Sequence, residues 1–325
     1  MRLLYGLLIC TAVALAGIYS FSPRHVQPLD SYTLPVNTMR LNDITKSSAG
    51  IVVIGELGHI LYSNDGGQQW QQANVDKPRF AMLTEVLFIT PDVGVAVGHQ
   101  GWILRTEDGG KNWQEVHFDA ERYDPLLTLS LDNDGTLTAV GAFGMFAQSQ
   151  DQGHNWSFIS APENTDWHLN ALINTGEIGK QLLIGEQGVA FLKEAQGNWS
   201  SIDPFYNGSL YGGLNLSDDT FLVYGMRGNA FISDDNGQNW RTIENQIPVS
   251  LFAHHVLPSG HILLAGQGGT IFLSSAHGEK LQPIHGGKRW SITGMLPLGS
   301  NEFLLATNEG VKRVSLTQAL AHITG

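Results

Sequence analysis

The sequence predicts an all-β protein, a seven-bladed β-propeller made of repeated four-stranded sheets. The first observation is a turn motif, S/T-x-D-x-G-x-x-W, that occurs four times and ends at Trp70, Trp113, Trp156 and Trp240. A degraded copy ending at Trp199 fills the gap, so these tryptophans follow one another at steps of 43, 43, 43 and 41 residues. A period of about 40–45 residues is typical of one propeller blade. The composition agrees, since 38 glycines, 8 tryptophans and only 15% charged residues favour short strands and tight turns.

A second repeated element, a G-x-x-G hairpin, precedes each turn motif, and two further copies follow without a full turn motif. The hairpins begin at Gly55, Gly98, Gly141, Gly185, Gly225, Gly266 and Thr307, the last keeping only its second glycine. One apolar position before each hairpin is interpreted as the innermost strand in register: Leu41, Leu83, Leu126, Leu169, Tyr211, Phe252 and Ile292. Seven copies of both features predict seven blades.

Each repeat is expected to form four strands, as the second repeat illustrates. MLTEVLFI is apolar enough to lie innermost, GVAVG and GWILRT form a hairpin, and WQEVHF is the outer strand. Radial repetition packs each sheet on both of its neighbours. The seventh repeat ends before an outer strand, and residues 31–36 (SYTLPV) are expected to supply that strand and close the ring. The propeller is therefore predicted to occupy residues 31–325.

Residues 1–21 predict a signal peptide or an N-terminal membrane anchor, with residues 22–30 as a linker. Arg2 precedes a long apolar run, and an A-x-A sequence ending at Ala16 fits signal cleavage. The run over residues 3–21 is also about long enough to remain as a transmembrane helix. We expect export to a periplasm or a lumen-like compartment. Because Cys10 is the only cysteine, no disulfide framework is available to the propeller.

The residue types of the turn motif predict a structural role. The aspartate carboxylate is expected to accept N–H groups of its own turn, the glycine to adopt a positive φ, and the tryptophan to bury its ring between strands. Packing needs such a feature in every blade, whereas one active site does not. The residues assigned to this role are Asp65, Trp70, Asp108, Trp113, Asp151, Trp156, Asp235 and Trp240.

Charge and motif content argue against several functional classes. A net charge of -12 repels the phosphate backbone of nucleic acids. The sequence contains no G-x-S-x-G elbow, P-loop or dinucleotide fingerprint. DNDG at Asp132 lacks the other ligands of a calcium loop, and the adjacent His254 and His255 point to opposite sides of one strand. Asp43 and Glu85 fall near one level of the channel, where inward polar residues are ordinary, so we predict no catalytic residue, metal site or cofactor.

The turn motif resembles the Asp-box, or BNR, repeat. GHQGWILRTEDGGKNW, a G-x-x-G hairpin that leads into an Asp box, is similar to the photosystem II assembly and stability factor family of plants and cyanobacteria. The resemblance covers about Leu41 to Ser315. It implies an exported seven-bladed propeller that performs no chemistry and binds a membrane-protein intermediate during assembly. Similar proteins of non-photosynthetic bacteria imply another partner, a membrane transporter of the RND type.

The segments that lead into the inner strands, here called inbound loops, are expected on the same propeller face as the G-x-x-G tips, because successive strands alternate direction. We call this surface the inbound face. Guanidinium groups bind carboxylates or phosphates by paired hydrogen bonds, and the resemblance implies an arginine-rich patch. The alternative is that these charges only keep the loops solvated. Nearby aromatic residues are Phe80, Tyr123, Trp167, Tyr206 and Trp290; the candidate partner-binding residues are Arg40, Arg79, Arg122, His168, Arg227, Lys288 and Arg289, with His99 at another tip.

Two functional hypotheses follow. The first is an exported, monomeric, non-enzymatic scaffold or assembly factor that binds a membrane protein. The second is a sialidase-type glycoside hydrolase or a carbohydrate-binding propeller, because sialidases also carry Asp boxes. The sequence lacks the Arg-Ile-Pro segment that sialidases show near their first arginine, and its seven repeats differ from their six blades.

Overall fold

The computed structural model describes residues 2–21, 36–195, 197–217, 219–275 and 278–321. It divides into two units, Met1–Leu34 and Pro35–Gly325. The first unit contains the helix α1 (Arg2–Phe21). None of the helices in the described ranges combines the length and the apolar character needed to cross a membrane. The linker and the start of the propeller predicted at residue 31 lie outside these ranges and stay predictions.

The second unit consists of seven antiparallel sheets. Blades 1 and 2 contain β1 (Leu41–Ser47), β2 (Gly50–Gly55), β3 (Ile60–Ser63), β4 (Gln71–Gln72), β5 (Asn74–Val75), β6 (Leu83–Phe88), β7 (Gly94–Gly98), β8 (Ile103–Thr106) and β9 (Asn112–His117). Blades 3 and 4 contain β10 (Leu126–Leu131), β11 (Leu137–Gly141), β12 (Phe146–Ser149), β13 (Ser157–Phe158), β14 (Leu169–Asn174), β15 (Gln181–Gly185), β16 (Ala190–Lys193) and β17 (Trp199–Ser201).

Blades 5 and 6 contain β18 (Leu210–Ser217), β19 (Thr220–Gly225), β20 (Ala230–Ser233), β21 (Arg241–Thr242), β22 (Leu251–Val256), β23 (Ile262–Gly266), β24 (Ile271–Ser274) and β25 (Gln282–His285). Blade 7 contains β26 (Ile292–Pro297), β27 (Glu302–Thr307) and β28 (Gly310–Ser315), followed by the short helix α2 (Thr317–Leu320). Within each blade the strands pair in chain order, and β5 adds a parallel strand to the outer edge of blade 2.

The inner strands form a closed ring, which confirms the predicted seven-bladed propeller. Strands β1, β6, β10, β14, β18, β22 and β26 contact one another in that order, and β26 contacts β1 again. The second strand of each blade is buried almost throughout, because the sheets of both neighbouring blades cover it. One core cluster therefore joins Val52 of blade 1 to Ala96 of blade 2.

A β-bulge near the start of each inner strand fixes its register and corrects two of the aligned positions. In each of the first four blades the leucine that pairs with the hairpin glycine is the predicted one, as Leu41 with Gly55. In blades 5 and 6 the equivalent residues are Leu210 and Leu251, one residue before the predicted Tyr211 and Phe252. Those two aromatic rings instead contact each other in the channel, 5.4 Å apart. In these two blades the residue after the paired leucine, at the bulge, is itself aromatic, so two adjacent apolar residues compete for the aligned position in the sequence.

The ring closes between blade 7 and blade 1. The hydroxyl of Thr293 donates a hydrogen bond to the Leu41 carbonyl at 2.9 Å. On the outer side of β28, the N–H of Val311 donates to the Val36 carbonyl at 3.1 Å. Most of the predicted closing strand, residues 31–35, lies outside the described ranges, and within them blade 7 has three strands.

Candidate functional site: the inbound face

The Asp boxes hold their own turns, as predicted. In the first box, Asp65 Oδ1 accepts the hydroxyl of Ser63 at 2.8 Å and the N–H groups of Gln68 and Gln69, both at 2.9 Å. Gly67 adopts a φ of 86°, and its N–H donates to the Ser63 hydroxyl. The bonds from the hydroxyl and from the N–H four residues after the aspartate recur in the boxes of Asp108, Asp151 and Asp235, where a side-chain amide adds a further donor.

These carboxylates are bound in their ionised form. Hydrogen bonds from the backbone and side chain of Asn155 lower the pKa of Asp151 to about 2. The side-chain and backbone donors of Asn239 likewise lower the pKa of Asp235. In three of the boxes the indole N–H completes the motif by donating to the carbonyl of the box glycine, as Trp113 does to Gly110 at 2.9 Å. The Asp-box carboxylates thus accept hydrogen bonds from their own hairpins.

Replacing Asp108 by alanine is expected to lower the free energy of unfolding by about 1–2 kcal/mol, because the N–H groups of Lys111 and Asn112 lose their acceptor. Denaturant unfolding monitored by tryptophan fluorescence measures the change. Glu121→Ala is the matched control, since it removes the same charge from an exposed side chain for which the structure gives no side-chain hydrogen bond or ion pair. Equal stability of the two variants would contradict this role.

The inbound loops and the hairpin tips form one surface, as the sequence predicts. In six blades the tip is a single 3-10 turn, such as Glu56–Gly58 or His99–Gly101. The backbone N–H of the first tip residue donates to a backbone carbonyl at the end of the inbound loop of the same blade. The N–H of Glu56, for example, donates to the Arg40 carbonyl at 3.0 Å. This bond recurs in all seven blades, from Glu56, His99, Ala142, Glu186, Met226, Gln267 and Asn308.

Three of the candidate cations already have acidic partners. Arg79 forms a two-pronged pair with Glu115, both N···O distances being 2.6 Å, and its guanidinium lies 4.4 Å from the centre of the Phe118 ring. These hydrogen bonds hold the pKa of Glu115 below its usual range. Arg122 lies 3.8 Å from Asp124.

The other partnered candidate is His168, which lies 3.8 Å from Glu186 and contacts the Phe143 ring at 4.9 Å. His99, at the tip of blade 2, is also less readily protonated than a free histidine. Burial, followed by the charge of Arg40, lowers the pKa of this imidazole. His99 therefore adds little positive charge to the inbound face near neutral pH.

Four candidate cations remain without such a partner. Within the described residues, no carboxylate oxygen lies within 4.0 Å of the side-chain nitrogens of Arg40, Arg227, Lys288 or Arg289, and all four side chains are exposed. Glu56, beside Arg40, is bound to the backbone N–H of that residue and not to its guanidinium. We call these four residues the unpaired cations. Sequence spacing did not separate them from the paired ones.

Apolar side chains on the same face were only partly predicted. Phe80, Tyr123 and Trp167 of the inbound loops are exposed, as expected. Leu57 and Phe143 were missed; they occupy the middle of their tip turns with φ values of 54° and 52°, and both side chains are exposed. The signal available in the sequence was an apolar residue between two hairpin strands, at a position where the other blades carry Gln, Arg, Gly or Glu.

The central channel contains the other concentration of polar groups, in a cavity of about 360 Å³. Asp43 accepts the N–H of Val86 in blade 2, and Glu85 accepts the N–H of Leu129 in blade 3, both at 3.0 Å. Burial raises the pKa of Asp43 to about 7 and, with the charge of Asp43, that of Glu85 to about 8. The pair thus ties three consecutive blades together through backbone donors.

The remaining candidates have structural roles. His254 lines the channel, where its Nδ1 lies 2.8 Å from the Tyr224 hydroxyl, and His255 packs on the Phe303 ring at 5.4 Å. Asp132 accepts the N–H of Gly179 from blade 4 at 3.0 Å. Within the described parts of the chain, no three His, Cys, Asp or Glu side chains are arranged to hold a metal ion.

Comparisons with solved structures agree with the fold. YCF48 bound to D1 peptide has a TM-score of 0.69 at 17% identity, over 90% of this chain and 98% of that one. YCF48 from Cyanidioschyzon merolae has a TM-score of 0.66 at 16% identity, over 86% and 96%. The WD40 β-propeller domain of Doa1 has a TM-score of 0.67 at 15% identity, over 87% and 94%. Identities this low show the fold alone.

The family is shown by sequence. A comparison with curated proteins gave no match. The family model described as photosynthesis system II assembly factor YCF48 matches residues 30–275, which is most of the chain and covers all four complete Asp boxes. This match confirms the resemblance seen in the repeats: the chain belongs to the family of the photosynthesis system II assembly factor YCF48.

Proposed function

We propose that this protein is a non-enzymatic assembly factor that binds a membrane protein, or an assembly intermediate of one, on its inbound face. The observation that carries the proposal is the set of unpaired cations on a protein whose net charge is -12. Cations without local partners are sites of positive charge on a protein that is acidic overall. Such sites attract the carboxylates of a partner, and the acidic remainder of the surface repels other anions.

Family membership and one of the similar structures support a protein partner. A YCF48 protein has been solved with a D1 peptide bound, and its fold covers 90% of the present chain. The exposed aromatic side chains agree, because aromatic residues and arginine are enriched at protein interfaces. Within the proposal, the partner is a subunit or intermediate of photosystem II type, with an RND-type transporter as the alternative, and the protein acts as a monomer.

Export is part of the same proposal. Arg2, the apolar run after it and the A-x-A sequence ending at Ala16 support delivery to a periplasm or a lumen-like compartment. The inbound face would then meet those segments of a membrane protein that emerge on that side of the membrane.

No reaction is assigned to the protein. Asp43 and Glu85, whose carboxyl groups line the channel, accept backbone N–H groups of adjacent blades, and each Asp-box carboxylate holds its own turn. The ring of seven inner strands also agrees with the seven repeats that argued against the sialidase alternative, since sialidases have six blades.

Reversing two unpaired cations, in the variant Lys288→Glu/Arg289→Glu, is expected to reduce capture of the membrane protein from detergent-solubilised membranes by at least about tenfold. Arg79 is unsuitable for this test, because a glutamate there would face Glu115. Immobilised protein and quantitative mass spectrometry of the captured material measure the change.

The matched control is Lys46→Glu/Lys111→Glu, which reverses two exposed cations on the opposite face of the propeller, one near the end of β1 and one in the turn between β8 and β9. This variant carries the same change in net charge and should capture the partner as the unmodified protein does. Equal losses in both variants would show that only net charge matters, and no loss in either would remove the inbound face from the proposal.

A further inference from the structure

Exposed apolar side chains gather on one part of the inbound face, from blade 1 to blade 4. Leu57 is 55% exposed, Phe80 73%, Tyr123 76%, Phe143 61% and Trp167 45%. Two of them lie on hairpin tips and three in inbound loops. Blades 5, 6 and 7 contribute no exposed large apolar side chain from the described residues of these loops and tips. We call this group of five the apolar sector.

The apolar sector is continuous, because the tip of one blade bonds to the inbound loop of the next. The N–H of Gly101 in blade 2 donates to the Asp124 carbonyl beside Tyr123, and that of Gly144 in blade 3 donates to the Trp167 carbonyl, both at 3.1 Å. Gly58 in blade 1 packs closely against the ring of Trp102 in blade 2. The exposed rings thus stand on a backbone that is linked from blade to blade.

The unpaired cations occupy the rest of the face. Lys288 and Arg289 lie in the inbound loop of blade 7, Arg227 on the tip of blade 5, and Arg40 in the inbound loop of blade 1. The Lys288 N–H donates to the Gly268 carbonyl at 2.8 Å, which holds this loop against the tip of blade 6. Because blade 7 contacts blade 1, this cationic sector adjoins the apolar sector there.

The two sectors also differ in electrostatics. The cations inside the apolar sector have partners, since Arg79 pairs with Glu115, Arg122 lies near Asp124, and His168 lies near Glu186. The loops around the apolar sector also carry acidic side chains with no ion pair among the described residues, namely Glu121, Glu163 and Asp166, so the unpaired candidate cations lie only in the cationic sector. An anionic lipid surface suits this arrangement poorly, because it would meet those carboxylates as well as the overall charge of -12.

We infer that the inbound face is a bipartite docking surface for one polypeptide segment, in which an apolar stretch lies on blades 1–4 and an adjoining carboxylate-bearing stretch lies on blades 5–7 and Arg40. The inference rests on the proposed function and adds the chemistry of the bound segment. Desolvated aromatic anchors supply most of the affinity of such an interface, and complementary charges set the orientation and speed of docking.

Two variants separate the sectors. Tyr123→Ser/Phe143→Ser alters the apolar sector, and Lys288→Glu/Arg289→Glu alters the cationic sector. Each is expected to reduce capture of the membrane protein about tenfold at 0.1 M NaCl. The residual capture by the apolar-sector variant depends on charge, so raising NaCl to 0.5 M should abolish it. The residual capture by the cationic-sector variant depends on apolar contacts and should stay nearly unchanged. The matched control is Ile178→Ser/Val256→Ser, which alters two exposed apolar residues on the face opposite the inbound face. This variant should capture the membrane protein normally.

Photo-crosslinking then locates the segment on the face. With p-benzoylphenylalanine at Phe143 or at Arg289, crosslinks should fall on an apolar stretch and on a carboxylate-bearing stretch of the same polypeptide. Crosslinks from both positions to one acidic stretch, or to different proteins, would overturn the inference, as would normal capture by the apolar-sector variant. A lipid test uses vesicles of 70% phosphatidylcholine and 30% phosphatidylglycerol. If the unmodified protein binds these vesicles and both variants do not, the face binds lipid and the inference is overturned.

The outcomes separate this inference from the proposed function. Failure of the unmodified protein to capture any membrane protein overturns both. Capture that depends on Lys288 and Arg289 but not on Tyr123 and Phe143 leaves the proposed function standing and overturns the bipartite surface alone.

Discussion

Replacing Trp113 by alanine is expected to lower the free energy of unfolding by about 3–5 kcal/mol, the range for removing a large buried aromatic side chain. This Asp-box tryptophan is buried between blades 1 and 2, in a cluster with Val52 and Trp102. Its ring meets Phe88 edge to face at 6.2 Å, and its indole N–H donates to the Gly110 carbonyl at 2.9 Å. Alanine would leave a cavity and an unbonded carbonyl where two blades join.

Trp70→Ala is the matched control, because it removes the same residue from the same motif at a half-buried position. We expect a loss of about 1–2 kcal/mol there, since water reaches the site and part of the surface is already exposed. Denaturant unfolding of both variants, followed by far-UV circular dichroism, measures the difference. A Trp113→Ala variant no less stable than Trp70→Ala would show that the buried ring is not what joins the blades.

The free energy of unfolding is expected to fall by about 1–3 kcal/mol between pH 6.5 and pH 8.5. Asp43 and Glu85 have pKa values raised by burial, so the folded state holds protons that the unfolded state has already released. Their contribution is complete below the ordinary carboxyl pKa and is lost as pH rises through the raised values. Both carboxyl groups border the channel, so the fall in the free energy of unfolding is smaller than it would be for fully buried groups.

Other titrating groups near the channel do not produce this fall. Burial lowers the pKa of His254 to about 4, so this imidazole is neutral throughout the tested range, and burial also lowers the pKa of His255. Burial raises the pKa of Tyr224, which keeps the phenol neutral there as well. The Asp-box carboxylates have lowered pKa values, and their contribution is lost only in acid.

Urea unfolding at intervals across this range measures the dependence, and Glu85→Gln should remove the larger part of it. Glu121→Gln, at an exposed site, should leave the profile as it is in the unmodified protein. A stability that stays constant or rises over this interval would mean that the two carboxyl groups are solvated and ionise normally.

The inbound face was predicted in outline but not in detail. Strand alternation placed the inbound loops and the tips together, and the hydrogen bond between Glu56 and the Arg40 carbonyl confirms that placement. Arg79 looked no different in sequence from Arg289, yet its guanidinium is bound by Glu115, 36 residues away on the outer strand of the same blade. Local sequence does not specify which of several acidic residues reaches a given cation.

The sequence by itself determined the repeat, the number of blades and the role of the Asp boxes. These follow from contacts within a few residues, such as Asp65 with Gln69, whose geometry the local residue types dictate. Only the tertiary structure decided which cations stay unpaired, that Leu57 and Phe143 complete an apolar sector, and that Asp43 and Glu85 accept backbone N–H groups of the next blade. Those outcomes depend on contacts between blades and on a bulge that shifts register, and the packing of the closed ring sets both.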